Sequence, residues 1–226
     1  MRIKFSNGMV ANLAAVDAYG RGGFLVSLTS FLIVINLIVY VFLACASRDP
    51  LVIDYELLAF YGQLNKAVLN GWYWQLFTSI FVHANLLHLM GNMFFLFIFG
   101  LRAENLFGRL RYLFIYFTSG LLGGLLTLLM GPYVVSVGAS GAIFGLFGAN
   151  ATYIRSRINQ SILGALIYSL YLFLFNLGGG VNILAHFGGL IAGLIIGYVW
   201  GKRELRHRDV TVWANISPAY TIISVT

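Results

Sequence analysis

The sequence predicts an all-α polytopic membrane protein with six spanning helices, and three observations support this fold class. The 226 residues are 60% hydrophobic and 9% charged, whereas a soluble domain carries about 25% charged residues. Several apolar runs reach the roughly 18 residues that a helix needs to cross hydrocarbon. Lysine and arginine collect in alternate connections between these runs, which is typical of membrane proteins.

Six apolar segments follow one another, and each is predicted to cross the membrane once. Their expected bounds are 24–46, 83–101, 112–130, 137–154, 162–177 and 181–200. The first is too long for the apolar part of a signal peptide and lacks a small-residue cleavage pattern, so we expect it to be retained. The predicted organisation is an N-terminal segment 1–23, a membrane domain 24–201 and a polar C-terminal tail 202–226.

The longest predicted connection, residues 47–79, lies on the outer side. It carries Trp72, Tyr73 and Trp74 near its end, and such amphipathic aromatic side chains favour the headgroup level. We therefore expect this outer connection to lie partly in the membrane surface.

The positions of the cations predict the orientation, because short loops rich in lysine and arginine stay on the cytoplasmic side. Twelve cations fall on one side of a six-span arrangement: Arg2, Lys4, Arg21, Arg102, Arg109, Arg111, Arg155, Arg157, Lys202, Arg203, Arg206 and Arg208. Only Arg48 and Lys66 fall on the other side. Both termini are therefore predicted to be cytoplasmic. The formal charge of +7 then indicates topology and a bilayer with anionic lipids, not a nucleic-acid partner.

Cys45 is the only cysteine, so no intramolecular disulfide and no zinc site built on thiolates is expected. No metal and no cofactor is predicted. The sequence predicts no particular oligomeric state.

Polar side chains within the segments are few, and such groups are costly at membrane depth, so each suggests a function. His88 and Asn92 are four residues apart, which places both on one face of a helix. Ser140 follows the helix breakers Gly131 and Pro132 and is predicted in the first turn of its helix. Unpaired backbone N–H groups at that end could stabilise an oxyanion beside a nucleophilic hydroxyl.

His186 is followed on its own helix face by Gly189, Gly193 and Gly197, and a glycine stripe allows a neighbouring helix to approach closely. The fourth segment has a similar stripe in Gly141, Gly145 and Gly148. Packing of these two helices could bring the imidazole to the Ser140 hydroxyl. A neutral imidazole can take a proton from serine and later donate it to a leaving amine. Because no carboxylate lies within a segment except Glu104 at one end, the pattern indicates a serine/histidine dyad.

Each feature also has a purely structural interpretation. Glycine and serine often serve only close packing in membrane bundles, and a lone intramembrane histidine can be a structural hydrogen-bonding group. His83, at the predicted start of the second helix, is expected near the outer surface. Only the combination of Ser140, His186, His88 and Asn92 on the outer halves of their helices favours catalysis.

With these residues assembled, the chain resembles the rhomboid family of intramembrane serine proteases. The matching motifs are HANLLHLMGN at 83–92, GASG at 138–141 and AHFGG at 185–189. The resemblance implies Ser140 as nucleophile, His186 as general base, and His88, Asn92 and the Ser140 N–H as oxyanion donors. It also implies that Gly138, Phe144 and His83 border the substrate cavity.

The same resemblance implies that Glu104 and Gly108 have a structural role. A short chain of this kind is similar to prokaryotic members, so a plasma membrane is the expected location, with the active site open to the extracytoplasmic side. Transmembrane proteins are the implied substrates.

Two departures from the family pattern are visible. Many members have Trp-Arg where this chain has Trp74 and Gln75, which puts the anchoring of the outer connection in doubt. Many also have tyrosine where this chain has Phe144.

Two other functions stay open. One is an inactive relative that binds membrane proteins, although such relatives usually lose the serine or the histidine. The other is a small-solute transporter, against which the absence of a polar line toward the cytoplasm argues.

Overall fold

The computed structural model describes residues 27–158 and 181–220, together with positions 161, 163, 164 and 167, and gives side chains up to residue 206 in the last helix. The long helices are α1 (Leu28–Ser47), α5 (Leu86–Phe95), α7 (Arg109–Thr127), α8 (Ser140–Arg157) and α9 (Ile183–Tyr220). Short elements α2 (Tyr55–Tyr61), β1 (Gln63–Leu64), α3 (Asn65–Leu69) and α4 (Gln75–Thr78) lie between α1 and α5. A π-helical turn (Leu96–Gly100) joins α5 to α6 (Leu101–Phe107), and β2 (Val135–Ser136) precedes α8.

Four described helices are long and apolar enough to cross a membrane: Leu28–Ser47, Leu86–Phe107, Arg109–Met130 and Ile183–Arg206. They correspond to the first, second, third and sixth predicted segments. The fourth segment forms α8, which is less apolar than these helices. Protein buries 12 of its 18 residues, so little of α8 needs to face lipid. The fifth predicted segment, 162–177, lies outside the described residues except for 163, 164 and 167.

The second long helix begins later than predicted, and this changes the interpretation of His83. Asn85 caps α5, because its side chain accepts a hydrogen bond from His88 N at 2.8 Å, the usual contact of an N-cap residue. The helix continues through α6 to Gly108, whose φ of 74° ends it. His83 therefore precedes the helix. Its exposed fraction is 0%, so protein surrounds the side chain, and its expected position near the outer surface stays a prediction.

The last helix also extends beyond its predicted end at residue 200 and continues to Tyr220. The prediction used the end of the apolar run, which marks where a span ends. A helix can continue into water when, as in residues 202–206, the following residues have good helix propensity.

Helices α8 and α9 run parallel and touch along glycines spaced four residues apart. A β-carbon on Gly189 would overlap the Gly141 carbonyl oxygen, and one on Gly193 would overlap the Gly145 carbonyl oxygen. One turn further, a β-carbon on Gly197 would likewise overlap the Ala149 carbonyl oxygen. The backbones are therefore in direct contact, as small residues permit in membrane bundles.

Helix α7 runs antiparallel to this pair and joins it at the end that is rich in arginine. Glu204 of α9 contacts Arg111 of α7 at 2.9 Å and Arg157 of α8 at 3.5 Å. Tyr153 OH donates to the same carboxylate at 2.6 Å. One acidic side chain thus connects three helices at one end of the bundle.

The outer connection is fixed by buried amides. Strands β1 and β2 pair antiparallel, with Gln63 opposite Ser136. Asn65 donates to the carbonyl oxygens of Thr127 and Gly131, at 2.7 Å in both cases. These contacts hold the segment before α8 against the outer connection.

Gln75 anchors the outer connection at the position where the sequence departs from the Trp-Arg pattern. Its side chain is completely buried. Its oxygen accepts from Leu64 N at 3.0 Å, and its nitrogen donates to the carbonyl oxygens of Ala59 and Phe60 at 2.9 and 2.8 Å. The doubt about anchoring at this position is therefore resolved, because a neutral amide supplies both the donor and the acceptor.

Glu104 caps a helix other than its own. Its carboxylate accepts from Leu28 N at 2.9 Å and from Thr29 N at 3.0 Å, and the Thr29 hydroxyl donates to it at 2.9 Å. The first N–H groups of a helix have no internal partner and carry partial positive charge. The buried carboxylate therefore connects α6 to the start of α1.

We predict that Glu104→Ala lowers the free energy of unfolding by about 2–4 kcal/mol, because it leaves buried N–H donors without an acceptor. Reversible unfolding in detergent micelles measures the change. Glu56→Ala, at an exposed position in α2, is the matched control and should change stability by less than about 0.5 kcal/mol. Equal stability of the two variants would contradict the capping role.

Candidate active site

Ser140 is the first residue of α8, and the chain enters it through a tight turn. Gly138 has a φ of 115°, a conformation that favours glycine. Its N–H donates to Ser79 O at 2.9 Å. Ala139 occupies the N-cap position without a capping side chain, so the N–H groups of the first turn are directed at the space in front of the Ser140 hydroxyl.

His186 lies in the first turn of α9 and faces Ser140. Its Nε2 atom is 2.8 Å from Ser140 Oγ, within hydrogen-bond distance. The imidazole is buried, with 8% of the residue exposed. The close backbone contact between Gly141 and Gly189 explains why two side chains as short as serine and histidine can meet across neighbouring helices.

Phe144, one turn after Ser140, packs against the imidazole. The ring centroids of Phe144 and His186 are 4.5 Å apart, with an interplanar angle of 28°. This stacking restricts rotation of the His186 side chain. The ring thus fixes the imidazole without a hydroxyl at this position.

His88 and Asn92 lie beside the turn that precedes Ser140. A β-carbon on Gly138 would be 2.8 Å from His88 Nε2 and 3.8 Å from Asn92 Nδ2. Asn92 Nδ2 donates to His88 O at 2.9 Å. Both polar groups therefore border the same small space, which only a glycine at 138 leaves open.

His83 lies beside His88 and is completely buried. The two imidazole centroids are 5.2 Å apart, in an edge-on arrangement. Neither His83 nitrogen makes a hydrogen bond of ordinary geometry within the described chain. The residue therefore supports the ring of His88 by packing.

The described geometry thus brings together six of the seven predicted site residues: Ser140, His186, His88, Asn92, Gly138 and Phe144. His83 is in contact with this group only through His88. The described residues contain no cluster of three or more His, Cys, Asp or Glu side chains. A serine hydroxyl, an adjacent imidazole and nearby N–H donors are the groups that acyl transfer requires.

One polar residue near the site escaped the sequence analysis. Asn182 immediately precedes α9, and its Oδ1 accepts from Ala185 N at 2.9 Å. An asparagine just before an apolar helix is an N-cap signal, but the predicted span began at residue 181 and enclosed it.

The fold and the site together define the class of protein. It is a helical integral membrane protein in which a serine and a histidine are in contact at the starts of two parallel helices. Residues 70–203 match the model of the Rhomboid domain, which is more than half of the 226 residues. The chain therefore belongs to the rhomboid family.

Individual relatives agree with this assignment. RHOMBOID-like protein 6, mitochondrial, of Arabidopsis thaliana is 39% identical over 140 residues, which cover 59% of this chain and 46% of the relative. Rhomboid-like protease 3 of Toxoplasma gondii is 28% identical over 191 residues, 81% of this chain and 72% of the relative. The rhomboid YdcA of Bacillus subtilis (strain 168) is 34% identical over 150 residues, 63% of this chain and 74% of YdcA. The chain spans less than half the length of the Arabidopsis relatives.

We predict that Gly138→Ala lowers the rate at which a fluorophosphonate probe labels the protein by about tenfold or more. The added methyl group would contact His88 Nε2 and strain a positive φ. Gly131→Ala is the matched control, because Gly131 has a φ of 107° and nothing lies within 4 Å of an added β-carbon. Equal labelling of the two variants would contradict a specific requirement for the space beside His88.

Proposed function

We propose that this protein is an intramembrane serine endopeptidase that hydrolyses peptide bonds in or next to transmembrane helices. The 2.8 Å contact between Ser140 Oγ and His186 Nε2 carries the proposal. Ser140 attacks the peptide carbonyl while His186 takes its proton, and the imidazolium then donates that proton to the leaving amine. Water, losing a proton to His186, then attacks the ester carbonyl of the acyl-enzyme, and the ester bond to Ser140 breaks as His186 returns the proton to Ser140 Oγ and the carboxylic acid product leaves.

The developing oxyanion is stabilised by His88, Asn92 and the Ser140 N–H. His88 and Asn92 border the turn at Gly138, and the Ser140 N–H lies at the start of α8, where the helix dipole favours negative charge. Gly138 leaves room for the substrate backbone, and Phe144 holds the ring of His186. His83 contributes to the cavity indirectly, by supporting His88.

The substrate is a transmembrane segment that reaches the site from the bilayer. A continuous helix hides its carbonyl groups in internal hydrogen bonds, so the segment has to unwind before Ser140 can attack. Small or helix-breaking residues near the scissile bond favour this unwinding. No metal ion or cofactor takes part in the proposed reaction.

We propose a six-span arrangement, which the parallel packing of α8 and α9 supports. Ser140 and His186 lie together, and so do Tyr153 and Glu204 at the other end. The chain therefore leaves α8 at the end that carries Arg157 and enters α9 at the opposite end. We propose that the fifth predicted segment, 162–177, returns the chain across the membrane.

We propose that both termini are cytoplasmic, since the end of the bundle around Arg111, Arg157 and Glu204 is the basic one. The active site then opens to the extracytoplasmic side. The relatives include plant proteins and one named mitochondrial. They give no support to the expected prokaryotic plasma membrane, and the proposal is limited to an integral membrane protein of this orientation.

We predict that cysteine labelling by a membrane-impermeant maleimide reveals this topology. On a Cys45→Ser background, Lys66→Cys should react in intact cells, whereas Ser161→Cys and Ser224→Cys should react only after permeabilisation. Reaction of Ser161→Cys and Ser224→Cys from opposite sides would contradict the fifth crossing.

We predict that a fluorophosphonate probe labels the purified wild type, while Ser140→Ala abolishes labelling and His186→Ala reduces it by about 10³-fold or more. The same variants should fail to cleave a transmembrane substrate in detergent or proteoliposomes. Thermal unfolding of each variant is the control for folding.

Folded wild-type protein that neither reacts with the probe nor cleaves a substrate would overturn the proposal in favour of an inactive membrane-protein binder. Solute flux in proteoliposomes that survives Ser140→Ala would favour a transporter instead.

A further inference from the structure

We propose that Asn182 is the positioning residue that fixes His186 opposite Ser140. This inference rests on the proposed function, because it assigns to Asn182 a role in the same reaction. Asn182 is not part of the motifs that identified the site. It touches no reacting atom, and it acts through the helix that carries His186.

The first contact of Asn182 determines where α9 starts. Its Oδ1 accepts from Ala185 N at 2.9 Å, the contact of an N-cap side chain with the third residue of the helix. His186 is the next residue, and its own N–H donates to Asn182 O at 3.2 Å. The side chain and the backbone of Asn182 therefore both hold the turn that carries the imidazole.

The second contact reaches the segment that carries the nucleophile. Asn182 Nδ2 donates to Ser136 Oγ at 2.7 Å, and Ser136 belongs to β2, four residues before Ser140. Strand β2 is held in turn by pairing with β1, where Ser136 lies opposite Gln63. One amide thus connects the start of the histidine helix to the strand that leads into the serine helix.

The third contact ties the same amide to α7. Asn182 Nδ2 also lies 2.8 Å from Thr127 Oγ1. The Thr127 carbonyl oxygen accepts from the buried Asn65 of the outer connection. The start of α9 is therefore fixed against two elements, which together restrict both sliding and rotation of the helix end.

These restraints matter because the glycine contact between α8 and α9 brings the backbones together without interlocking side chains at the contact. The serine–histidine contact at 2.8 Å tolerates little displacement, and a misplacement of about 1 Å can lower a rate by about 10²-fold. At the other end of the pair, Thr152 Oγ1 donates to Leu194 O at 2.9 Å. Thr152 thus makes a comparable contact between the same helices, remote from the dyad.

The test compares three variants of the full-length purified protein. Asn182→Ala removes all three contacts and should lower the fluorophosphonate labelling rate and kcat for a transmembrane substrate by about 10²-fold, with KM within about twofold. Asn182→Asp keeps the acceptor for Ala185 N and can accept a hydrogen bond from the Ser136 hydroxyl. It should recover labelling to within about threefold of wild type. Thr152→Val, the matched control, should lower the melting temperature without changing the labelling rate.

A second measurement detects the hydrogen bond between Ser140 and His186 by NMR and does not depend on catalysis. In protein labelled with 15N-histidine, the imidazole resonances of His186 should differ between wild type and Ser140→Ala, which removes the hydrogen-bond partner. Asn182→Ala should shift them toward their positions in Ser140→Ala, and Asn182→Asp and Thr152→Val should not.

Wild-type labelling and unchanged His186 resonances in Asn182→Ala would overturn the positioning role, even if that variant melts at a lower temperature. Failure of the proposed function gives a different result. The wild type would then be unlabelled and inactive, while the resonances would still decide whether Asn182 sets the contact between His186 and Ser140.

Discussion

The direct backbone contact between α8 and α9 is the constraint on which the rest of this structure depends. Side chains at positions 189 or 193 would separate the two helices, because a β-carbon there already overlaps a carbonyl oxygen of α8, and a β-carbon on Gly141 or Gly145 would lie only 3.1 Å from a carbonyl oxygen of α9. Serine and histidine side chains are short, so they meet only between helices at this separation. The glycines in these positions are therefore required both for the packing of α8 against α9 and for the proposed chemistry.

That same contact leaves α8 largely inside the protein, and polar groups elsewhere make the arrangement possible. Backbone that is not helical is tolerated at membrane depth only where its N–H and C=O groups find partners. Gln75 and Asn65 supply such partners to the outer connection, Glu104 supplies them to the start of α1, and Asn150 donates to Phe99 O in the π-helical turn. Each of these side chains satisfies backbone groups of another element, which explains polar residues in so apolar a chain.

The sequence predicted the elements that depend on hydrophobicity and spacing. Apolar runs located the starts of five of the helices to within a few residues, and the interval between His88 and Asn92 placed both on one helix face. Prediction from the sequence failed where a local contact, and not the end of an apolar run, determines a helix boundary. Asn85 caps α5, so the helix starts after His83, and charged residues of high helix propensity extend α9 past residue 200. Partners distant in sequence, such as Gln75 with Ala59 or Asn182 with Ser136, follow from tertiary packing and have no periodic signal.

Because α8 and α9 are parallel, the proposed site lies at the positive ends of two helix dipoles. Ser140 is the first residue of α8, and His186 is the fourth of α9. A site of this kind favours negative charge and disfavours positive charge, each by up to about 1 kcal/mol per helix. The oxyanion that forms on the substrate in the proposed reaction is therefore favoured. The imidazolium that forms together with the oxyanion has no carboxylate partner within the described site, so it is best stabilised by the oxyanion itself. In the proposed reaction, the two helix starts therefore stabilise the charge that develops on the substrate.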